Sequence, residues 1–508
     1  MRNMVAASVV AGVLSIPALA APVVSSVTAT GDDESGFVTV SYSVNEEAVV
    51  TFDVLSGGTP VGTNRLAFAC GDVNRVVAVG AHSFQWNARR AFADAPGAKS
   101  LMVEVTAWDK KTPPDVLVVD LQDASHRYYV ALDALPDGVT ADRYKTSELV
   151  FRKIHGTAAG AWTMGSDPGE ANYNGNIANK IGNFGCELRH TVRFTNDWYI
   201  GVYPVTQGQF LYLNGGNGYV MTDLQGCFYT NANFRAKRPV DYVTYDWLRG
   251  NSWPSGGYAG AGGRISSSMR GRSGIDNLDL PTEAQWEFSC RAGTTSTYSY
   301  GASLGANARY KENDAYPAEG SPNWESYHTS DTNGISLWTY DNGTPEVGSY
   351  APNAFGLYDM HGGVWEYCLD WCEKDTLWDT TTTYVNPVGC TRGQSFASCT
   401  VIMRGGAWNE PEKYCRSGTR RFQSYTGAPS SKWPGCASTG FRLVVPEISP
   451  SLSTSSASAN ASVTIAAEGE TGGGEGSMAG LDTRTRTWLD TIVQAVSTAA
   501  SGLALIFR

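Results

Sequence analysis

The fold of this chain is decided by one stretch in its second half, FGLYDMHGGVWE at residues 355–366. Glycines and aromatic residues are interspersed there with two carboxylates, Asp359 and Glu366, a composition that indicates turns between short aromatic strands. Related motifs precede and follow it in a fixed order: TMGS (163–166), ELRHTV (187–192), WYIGVYPVTQ (198–207), RPVDYV (238–243), LPTEAQWEF (280–288), RAG (291–293), RGGAW (404–408), CRS (415–417) and GFRL (440–443). Thr282 and Gln285 are spaced as a capping box, which predicts a helix start after Thr282.

Length and composition limit the classes of protein that this chain can belong to. Its 508 residues suffice for two or three domains of about 100–200 residues each. Hydrophobic residues make up 42% and charged residues only 17%, while Gly, Trp and Tyr are plentiful, which favours a loop-rich, aromatic protein. The net charge is -11 and we find no basic stripe, so nucleic acid is not an expected partner.

The first twenty residues are typical of a secretory signal peptide. Arg2 supplies a short positive region, an apolar segment follows, and Ala18-Leu19-Ala20 is a small-x-small cleavage site. We therefore expect an exported protein, periplasmic, extracellular or on the cell surface, in which the ten cysteines can pair.

Residues 21–120 are predicted to form an all-β, immunoglobulin-like sandwich. Apolar and polar residues alternate over 37–44 and again over 48–54, and turn residues separate these segments from later ones. Residues 121–149 are predicted to connect this sandwich to a large domain over 150–446.

The C-terminal part carries two further predictions. Residues 447–483 are rich in Ser, Thr, Ala, Gly and Glu and are predicted to form a disordered linker. Residues 484–508 are predicted to form a helix, since apolar residues recur there at helical spacing. One interpretation of this helix is an amphipathic partner-binding segment, and the other is attachment to a membrane or the cell surface.

The ordered motif series resembles the sulfatase-modifying factor, or formylglycine-generating enzyme, family. This resemblance covers more than half of the chain and implies an α+β fold. That fold is a C-type-lectin-like domain with few regular elements, here preceded by the immunoglobulin-like sandwich. We expect Trp286, Glu287, Trp365 and Trp408 in its core. Buried arginines are expected to tie its loops together, because the planar guanidinium can make several hydrogen bonds: Arg404, Arg416, Arg420 and Arg442.

The resemblance also implies a chemistry, from which this chain departs. Family enzymes bind copper through two cysteines in an Arg-Gly-Gly-Ser-x-x-Cys-x4-Cys pattern and oxidise a substrate cysteine to formylglycine. Cys415 falls on the second cysteine, but Glu410 falls on the first and Ala407 replaces the serine. A carboxylate is a poor ligand for cuprous copper. We therefore expect a domain without the copper oxidase activity; the alternative is an oxidase with Cys415 as catalytic residue and copper as cofactor.

The cysteine pairing stays open at this point. Cys415 is a candidate for a disulfide with Cys436, and Cys390 and Cys399 could close a short loop. Cys368 and Cys372 would share one face if their segment were helical, or else be buried free thiols.

The resemblance further implies structural calcium. The matching positions are the Asp359 and Glu366 side chains with the carbonyls of Gly362 and Val364, a set of oxygens that suits a hard cation. The other interpretation is that Asp359 and Glu366 cap turns or pair with arginines. A second, weaker calcium site would use Asn307, the Ala308 carbonyl and Asp341.

The segment from Arg404 to Arg442 also resembles the variable segment of diversity-generating-retroelement ligand-binding proteins. The resemblance implies a ligand surface for a protein or glycan, made of Asn409, Glu410, Glu412, Lys413, Tyr414, Tyr425 and Trp433. The remaining interpretation is a structural surface or assembly protein, which would have no small-molecule ligand.

Overall fold

A computed structural model provides the structure of the protein. It describes residues 22–157, 160–175, 186–215, 236–241, 243–250, 252–253, 257–313, 329–330, 336–337, 344–372, 380–389, 400–424, 438–450 and 456–465. The described residues between 22 and 95 and between 99 and 465 belong to one compact unit. The predicted signal peptide and C-terminal helix lie outside the described residues.

Strands dominate the structure. In chain order they are β1 Val24–Asp32, β2 Phe37–Val44, β3 Ala48–Ser56, β4 Thr59–Pro60, β5 Ala69–Gly71, β6 Arg75–Val77, β7 Gly80–Asn87, β8 Lys99–Trp108, β9 Val116–Asp120, β10 His126–Tyr129, β11 Glu148–Ile154, β12 Trp162–Met164, β13 His190–Arg193, β14 Asn196–Gly201, β15 Thr329–Ser330, β16 Ser336–Leu337, β17 Trp365–Cys372, β18 Thr383–Val385, β19 Thr400–Arg404, β20 Arg421–Ser424, β21 Thr439–Gly440, β22 Val444–Pro450 and β23 Ser456–Ile465. The helices are short: α1 Ala88–Ala91, α2 Gln207–Leu213, α3 Tyr245–Arg249, α4 Arg270–Ser273 and α5 Glu283–Arg291.

The N-terminal module consists of two sheets that share one apolar core. One sheet has the order β1-β2-β7-β5, and the other has the order β23-β8-β3-β4 with β6 beside β3. In β2, Val38, Val40 and Tyr42 are buried while the residues between them are exposed, as the period of two in a strand requires. The strands predicted over 37–44 and 48–54 are thereby confirmed, whereas the immunoglobulin-like topology stays a prediction.

The second sheet is completed by a strand from the far end of the chain. β23 pairs with β8 antiparallel over ten residue pairs, from Ser456 opposite Trp108 to Ile465 opposite Lys99. The predicted disordered linker is therefore wrong for 456–465. The sequence misled because an edge strand is held largely by its backbone hydrogen bonds, so small Ser and Ala side chains suffice; only Val463 is fully buried.

The large domain is built around a five-stranded antiparallel sheet with the order β10-β9-β11-β14-β22. β9 falls within the range predicted for the sandwich, but it pairs with β10 and β11 in this sheet. β22 runs from Val444 to Pro450 and so continues past residue 446, into the predicted linker. The predicted limits at 149 and 446 therefore fall inside strands β11 and β22, and the limit at 120 separates β9 from the strands with which it pairs.

A second sheet has the order β20-β19-β17-β21, and helix α5 packs against its strands β19 and β17. The candidate site lies next to these elements. Thr282 and Gln285 form the predicted capping box: the Gln285 amide donates to Thr282 Oγ1 at 3.2 Å, and the Thr282 amide donates to Gln285 Oε1 at 2.9 Å. The helix start is thereby confirmed. Cys368 and Cys372, by contrast, lie on strand β17 and not on a helix.

Within the described part of the chain, no helix has the length and apolar character that crossing a membrane requires.

Candidate functional site

The candidate site surrounds Cys415, which packs directly beneath the glycine turn after strand β19. Gly405 and Gly406 have φ angles of +96° and +78°, which non-glycine residues rarely adopt. A Cβ atom at Gly406 would lie 2.4 Å from Cys415 Sγ and 2.7 Å from its Cα. The two glycines thus permit a turn so close to Cys415 that the cysteine is fully buried.

Cys415 is a free thiol, so the structure does not contain the disulfide considered with Cys436. Cys436, Cys390 and Cys399 are among the residues that the structure does not describe. Burial, together with the nearby charge of Glu410, raises the pKa of the Cys415 thiol well above its ordinary range. The thiol is therefore protonated at neutral pH, whereas a metal ligand would have to be a thiolate.

Glu410 is held in place by an ion pair. Its Oε1 atom accepts a hydrogen bond from Arg421 Nη1 at 2.6 Å and a longer one from Trp365 Nε1 at 3.4 Å. The Arg421 guanidinium also lies over the Trp365 ring, 5.3 Å from its centroid. The carboxylate at this position therefore has a cationic partner within the protein.

A buried ion-pair network fixes the base of the site. Glu283 accepts hydrogen bonds from Arg404 Nε at 2.8 Å and from Arg420 Nε at 2.6 Å, and Glu287 pairs with Arg404 and with Arg291. Arg404 also donates to the carbonyls of Ser417 and Thr419. Arg416 donates to Glu187 and to the Asn172 carbonyl, and Arg442 donates to Glu366 and to the Tyr358 carbonyl. The prediction that buried arginines tie the loops together is therefore confirmed for all four: Arg404, Arg416, Arg420 and Arg442.

The two carboxylates of the predicted calcium site have different surroundings. Glu366 accepts from Arg442 Nη2 at 2.9 Å and from Trp286 Nε1 at 2.7 Å, so the expected pairing with an arginine is observed. Asp359 is partly buried and accepts from the Gly348 amide at 2.7 Å. Burial raises the pKa of Asp359 to about 6, and the Glu366 charge adds to this rise.

Of the second predicted calcium site, the structure describes two residues, Asn307 and Ala308. Asn307 Nδ2 donates to the Leu304 carbonyl at 3.0 Å, and the Ala308 carbonyl accepts from Asn313 Nδ2 at 2.7 Å. Asp341 belongs to a segment that the structure does not describe. Among the described residues, no three His, Cys, Asp or Glu side chains are grouped so that they could hold a metal ion.

Comparison with known proteins decides the family. The model of the sulfatase-modifying factor enzyme 1-like domain matches residues 152–446, which is more than half of the chain. The chain belongs to this family. It is 30% identical over 167 residues to the formylglycine-generating enzyme of Thermomonospora curvata, covering 32% of this chain and 48% of that protein. It is 28% identical over 181 residues to the enzyme of Mycobacterium tuberculosis, covering 34% and 52%.

The chain thus spans about half the length of the curated relatives that it matches. Among solved structures it is similar to Treponema denticola variable protein 1, at 21% identity and a TM-score of 0.35. That match covers 59% of this chain and 95% of the other. Its TM-score is too low to support an argument about fold or function.

Against the family's copper pattern, the residues at the site do not fit a cuprous ion. One of the two positions holds a buried, protonated thiol, Cys415. The other holds Glu410, whose carboxylate is paired with Arg421. A soft cuprous ion prefers two thiolates, and only one of the two positions holds a cysteine here.

The predicted ligand surface is only partly free for binding. Lys413 is exposed, while Asn409, Glu410, Glu412 and Tyr414 are half-buried. The Glu412 carboxylate accepts from the Leu304 amide at 2.7 Å, so it holds a neighbouring loop in place. Tyr425 and Trp433 lie outside the described residues.

His361 is a residue of this family site that sequence reasoning missed. Its Nε2 atom accepts a hydrogen bond from the Ser299 amide at 3.1 Å, so the ring proton is on Nδ1. Nδ1 donates to the Cys415 carbonyl at 2.8 Å. Burial lowers the pKa of His361 to about 4, so the ring is neutral at neutral pH. The histidine therefore ties the 355–366 loop to Cys415. Only its place within the decisive stretch could have suggested this role.

Proposed function

We propose that this member of the family has no copper oxidase activity and acts as a lectin-like ligand-binding or surface module. The observation that carries the proposal is the ion pair between Glu410 and Arg421 at the position of the first copper cysteine. A carboxylate that already has a guanidinium partner gains little from a soft cation. With this position lost, the pair of thiolates that the oxidase chemistry requires is lost as well.

The state of Cys415 supports the same proposal. Its side chain is fully buried under the Gly405-Gly406 turn, and its thiol pKa is raised. A copper ligand or a substrate-binding thiol should be accessible and easily deprotonated, and Cys415 is neither. The competing function is oxidation of a substrate cysteine to formylglycine through Cys415 alone.

Titration of the purified mature chain with cuprous copper tests the two functions. We expect no tight one-to-one binding and no aldehyde in a cysteine-containing sulfatase-type peptide. Glu410→Cys is the matched variant, because it restores the second thiol, and we expect it to bind copper more tightly than the native chain. Cys415→Ser in that background should remove the gain.

The proposal is refuted if the native chain binds one cuprous ion tightly, Cys415→Ser abolishes this binding, and the native chain forms aldehyde in the peptide. If the Glu410→Cys variant binds copper and the native chain does not, the proposal stands. This result would show that the loop holds copper only when both thiols are present.

Calcium at the 355–366 loop is part of the proposal, and the residues fit such a cation. Asp359 and Glu366 are close enough for the Glu366 charge to raise the pKa of Asp359, and Arg442 neutralises only one of the two charges. Each carboxylate oxygen can accept more than one partner, so Glu366 can keep Arg442 and still face a cation. Asp359, Glu366 and the carbonyls of Gly362 and Val364 would hold the ion, and calcium would stiffen the loop.

Export and display complete the proposal. The signal-type sequence over residues 1–20 suits a protein that is exported. The net charge of -11 argues against nucleic acid as its partner, which leaves a protein or a glycan. Attachment to a membrane or the cell surface would rest on residues 484–508. Fractionation of cells that express the full chain tests both points.

A further inference from the structure

A cleft of about 700 Å³ opens between the N-terminal module and the large domain, and Cys415 is not among the residues that line it. Phe68 and Arg90 line it from the N-terminal module. The connecting segment contributes Leu132 to Thr140 on one side, and the large domain contributes Gly356 and Tyr358. Small-molecule sites commonly lie between domains and span about 300–1,000 Å³, and this cleft has both properties.

The walls of this interdomain cleft are mainly apolar and include two aromatic rings. Phe68 is half-buried, and Tyr358 is 8% exposed and packs against Tyr203 with 5.0 Å between ring centroids. The Arg90 guanidinium lies 4.7 Å from the centroid of the Phe68 ring, which fixes this cation at the wall. A ligand with an apolar face would find ring surface mainly at Phe68, the more exposed of the two rings.

The cleft is preformed. Gly356 has a φ of +79°, and a Cβ atom there would lie 2.4 Å from Leu132 Cδ1, so the two walls touch at this point. Tyr203 Oη donates to the Val139 carbonyl at 3.1 Å and holds the connecting segment against the large domain. A cleft with fixed walls loses little entropy when a ligand binds.

The polar groups of the cleft are suited to a ligand with several hydroxyls. Asp133 and Asp137 are exposed carboxylates with several acceptor sites each, and Asn64 and Thr140 can both donate and accept. The formal charges of the lining balance, because Asp137 pairs with Arg143 at 3.3 Å and the lining also holds one cation, Arg90, and one other carboxylate, Asp133. A neutral ligand is therefore favoured over an anionic or cationic one.

We infer that the interdomain cleft binds a neutral oligosaccharide, whose C–H faces pack on Phe68 and whose hydroxyls bond Asp133 and Asn64. This inference rests on the proposed ligand-binding function. It assigns the ligand class and moves the binding site from the loop after Arg404 to a cleft that is lined by none of the residues of that loop. Thr63 Oγ1 donates to Asp133 and orients its carboxylate, which leaves acceptor sites for sugar hydroxyls.

Calorimetric titration of the mature chain with cellotetraose, maltotetraose and chitotetraose tests the inference, with tetragalacturonate as the charged comparison. We expect at least one neutral tetrasaccharide to bind. Asp133→Ala removes an acceptor, and Thr140→Trp fills the cleft without touching the core. Each should weaken binding about tenfold or more, the usual effect of losing a hydrogen bond to a charged group. Lys413→Ala and Tyr414→Ala, on the other candidate surface, should leave the affinity unchanged.

Three outcomes overturn the inference: none of the neutral tetrasaccharides binds, only tetragalacturonate binds, or binding is lost in the Lys413 and Tyr414 variants and kept in the cleft variants. The last outcome leaves the proposed ligand-binding function standing. Tight copper binding with aldehyde formation in the separate titration refutes the proposed function itself, so the two failures are distinguishable. Circular dichroism of each variant shows that a loss of binding is not a loss of fold.

Discussion

Glu283→Gln tests the buried ion-pair network beneath the candidate site. Glu283 begins helix α5, is fully buried, and accepts three hydrogen bonds, one from Arg404 and two from Arg420. The glutamine has nearly the same shape, but it carries no charge and presents an NH2 group where one carboxylate oxygen was. Arg404 keeps Glu287 as a partner, while Arg420 loses its ion pair with Glu283.

The expected loss of unfolding free energy is about 3–5 kcal/mol, the usual cost of removing one partner of a buried ion pair. Hydrogen-bond counting accounts for part of this loss. An amide oxygen in the place of Oε1 keeps the bonds from Arg404 Nε and Arg420 Nε, and the one charge-assisted bond from Arg420 Nη2 to Oε2, worth about 1.5–3 kcal/mol, is lost. Folded proteins have unfolding free energies of about 5–15 kcal/mol, so the expected loss is a large fraction of the total. Asp370 provides a partial offset: burial and the Glu283 charge raise its pKa to about 8, so removing that charge lets Asp370 ionise more readily.

Urea unfolding followed by tryptophan fluorescence at pH 7 measures the loss. Glu47→Gln is the control, since Glu47 and Lys110 form a pair that is about half exposed, and such pairs contribute about 0–1 kcal/mol. The pH profile gives a second signature. Because the folded pKa of Asp370 is above its unfolded value of 3.8, stability falls as pH rises from about 4 to about 8, and this fall should be smaller in Glu283→Gln. A Glu283→Gln variant within 1 kcal/mol of the Glu47→Gln control would refute the reasoning.

Three further predictions concern the stability of the folded chain. His155 bonds Asp115 and Asp197, which raise its pKa to about 9, so its stabilising contribution is complete below pH 6.5 and is lost as pH rises through 9. Urea unfolding at pH 6 and pH 10 should show a smaller difference for His155→Gln than for the native chain; equal differences would contradict this. Val463→Asp should destabilise the N-terminal module by about 3 kcal/mol and expose β23 to limited proteolysis, whereas Ser462→Asp, on the exposed face, should not. Calcium should raise the Tm of the native chain in differential scanning fluorimetry and leave that of Asp359→Asn unchanged, and a native chain without a shift argues against the calcium site.

The large domain was predictable because its motifs carry their own local structure. The capping box at Thr282 and Gln285 forms as expected, since both of its hydrogen bonds are made within four residues. The arginines of the late motifs were expected to be buried and bonded, and all four are, because a buried guanidinium requires several acceptors.

What the sequence left open depends on contacts between distant segments. The Glu410–Arg421 pair and the hydrogen bond from His361 to the Cys415 carbonyl involve residues 11 and 54 positions apart, and no local pattern marks them. The interdomain cleft has the same origin, because Phe68 and Tyr358 become neighbours only once both domains are folded. The calcium ligands and the export of the chain remain predictions.

The pairing of β23 with β8 has a consequence for the order in which the molecule is built. Thr106 and Ser458 face each other across this pair, 352 residues apart in the chain. At about 5–20 residues per second, the ribosome needs on the order of half a minute to make the intervening segment. Until then the edge of β8 lacks its partner, and such an edge is a template for incorrect pairing. The module that is made first is therefore completed last, and its stability reports whether the chain has been made as far as Ile465.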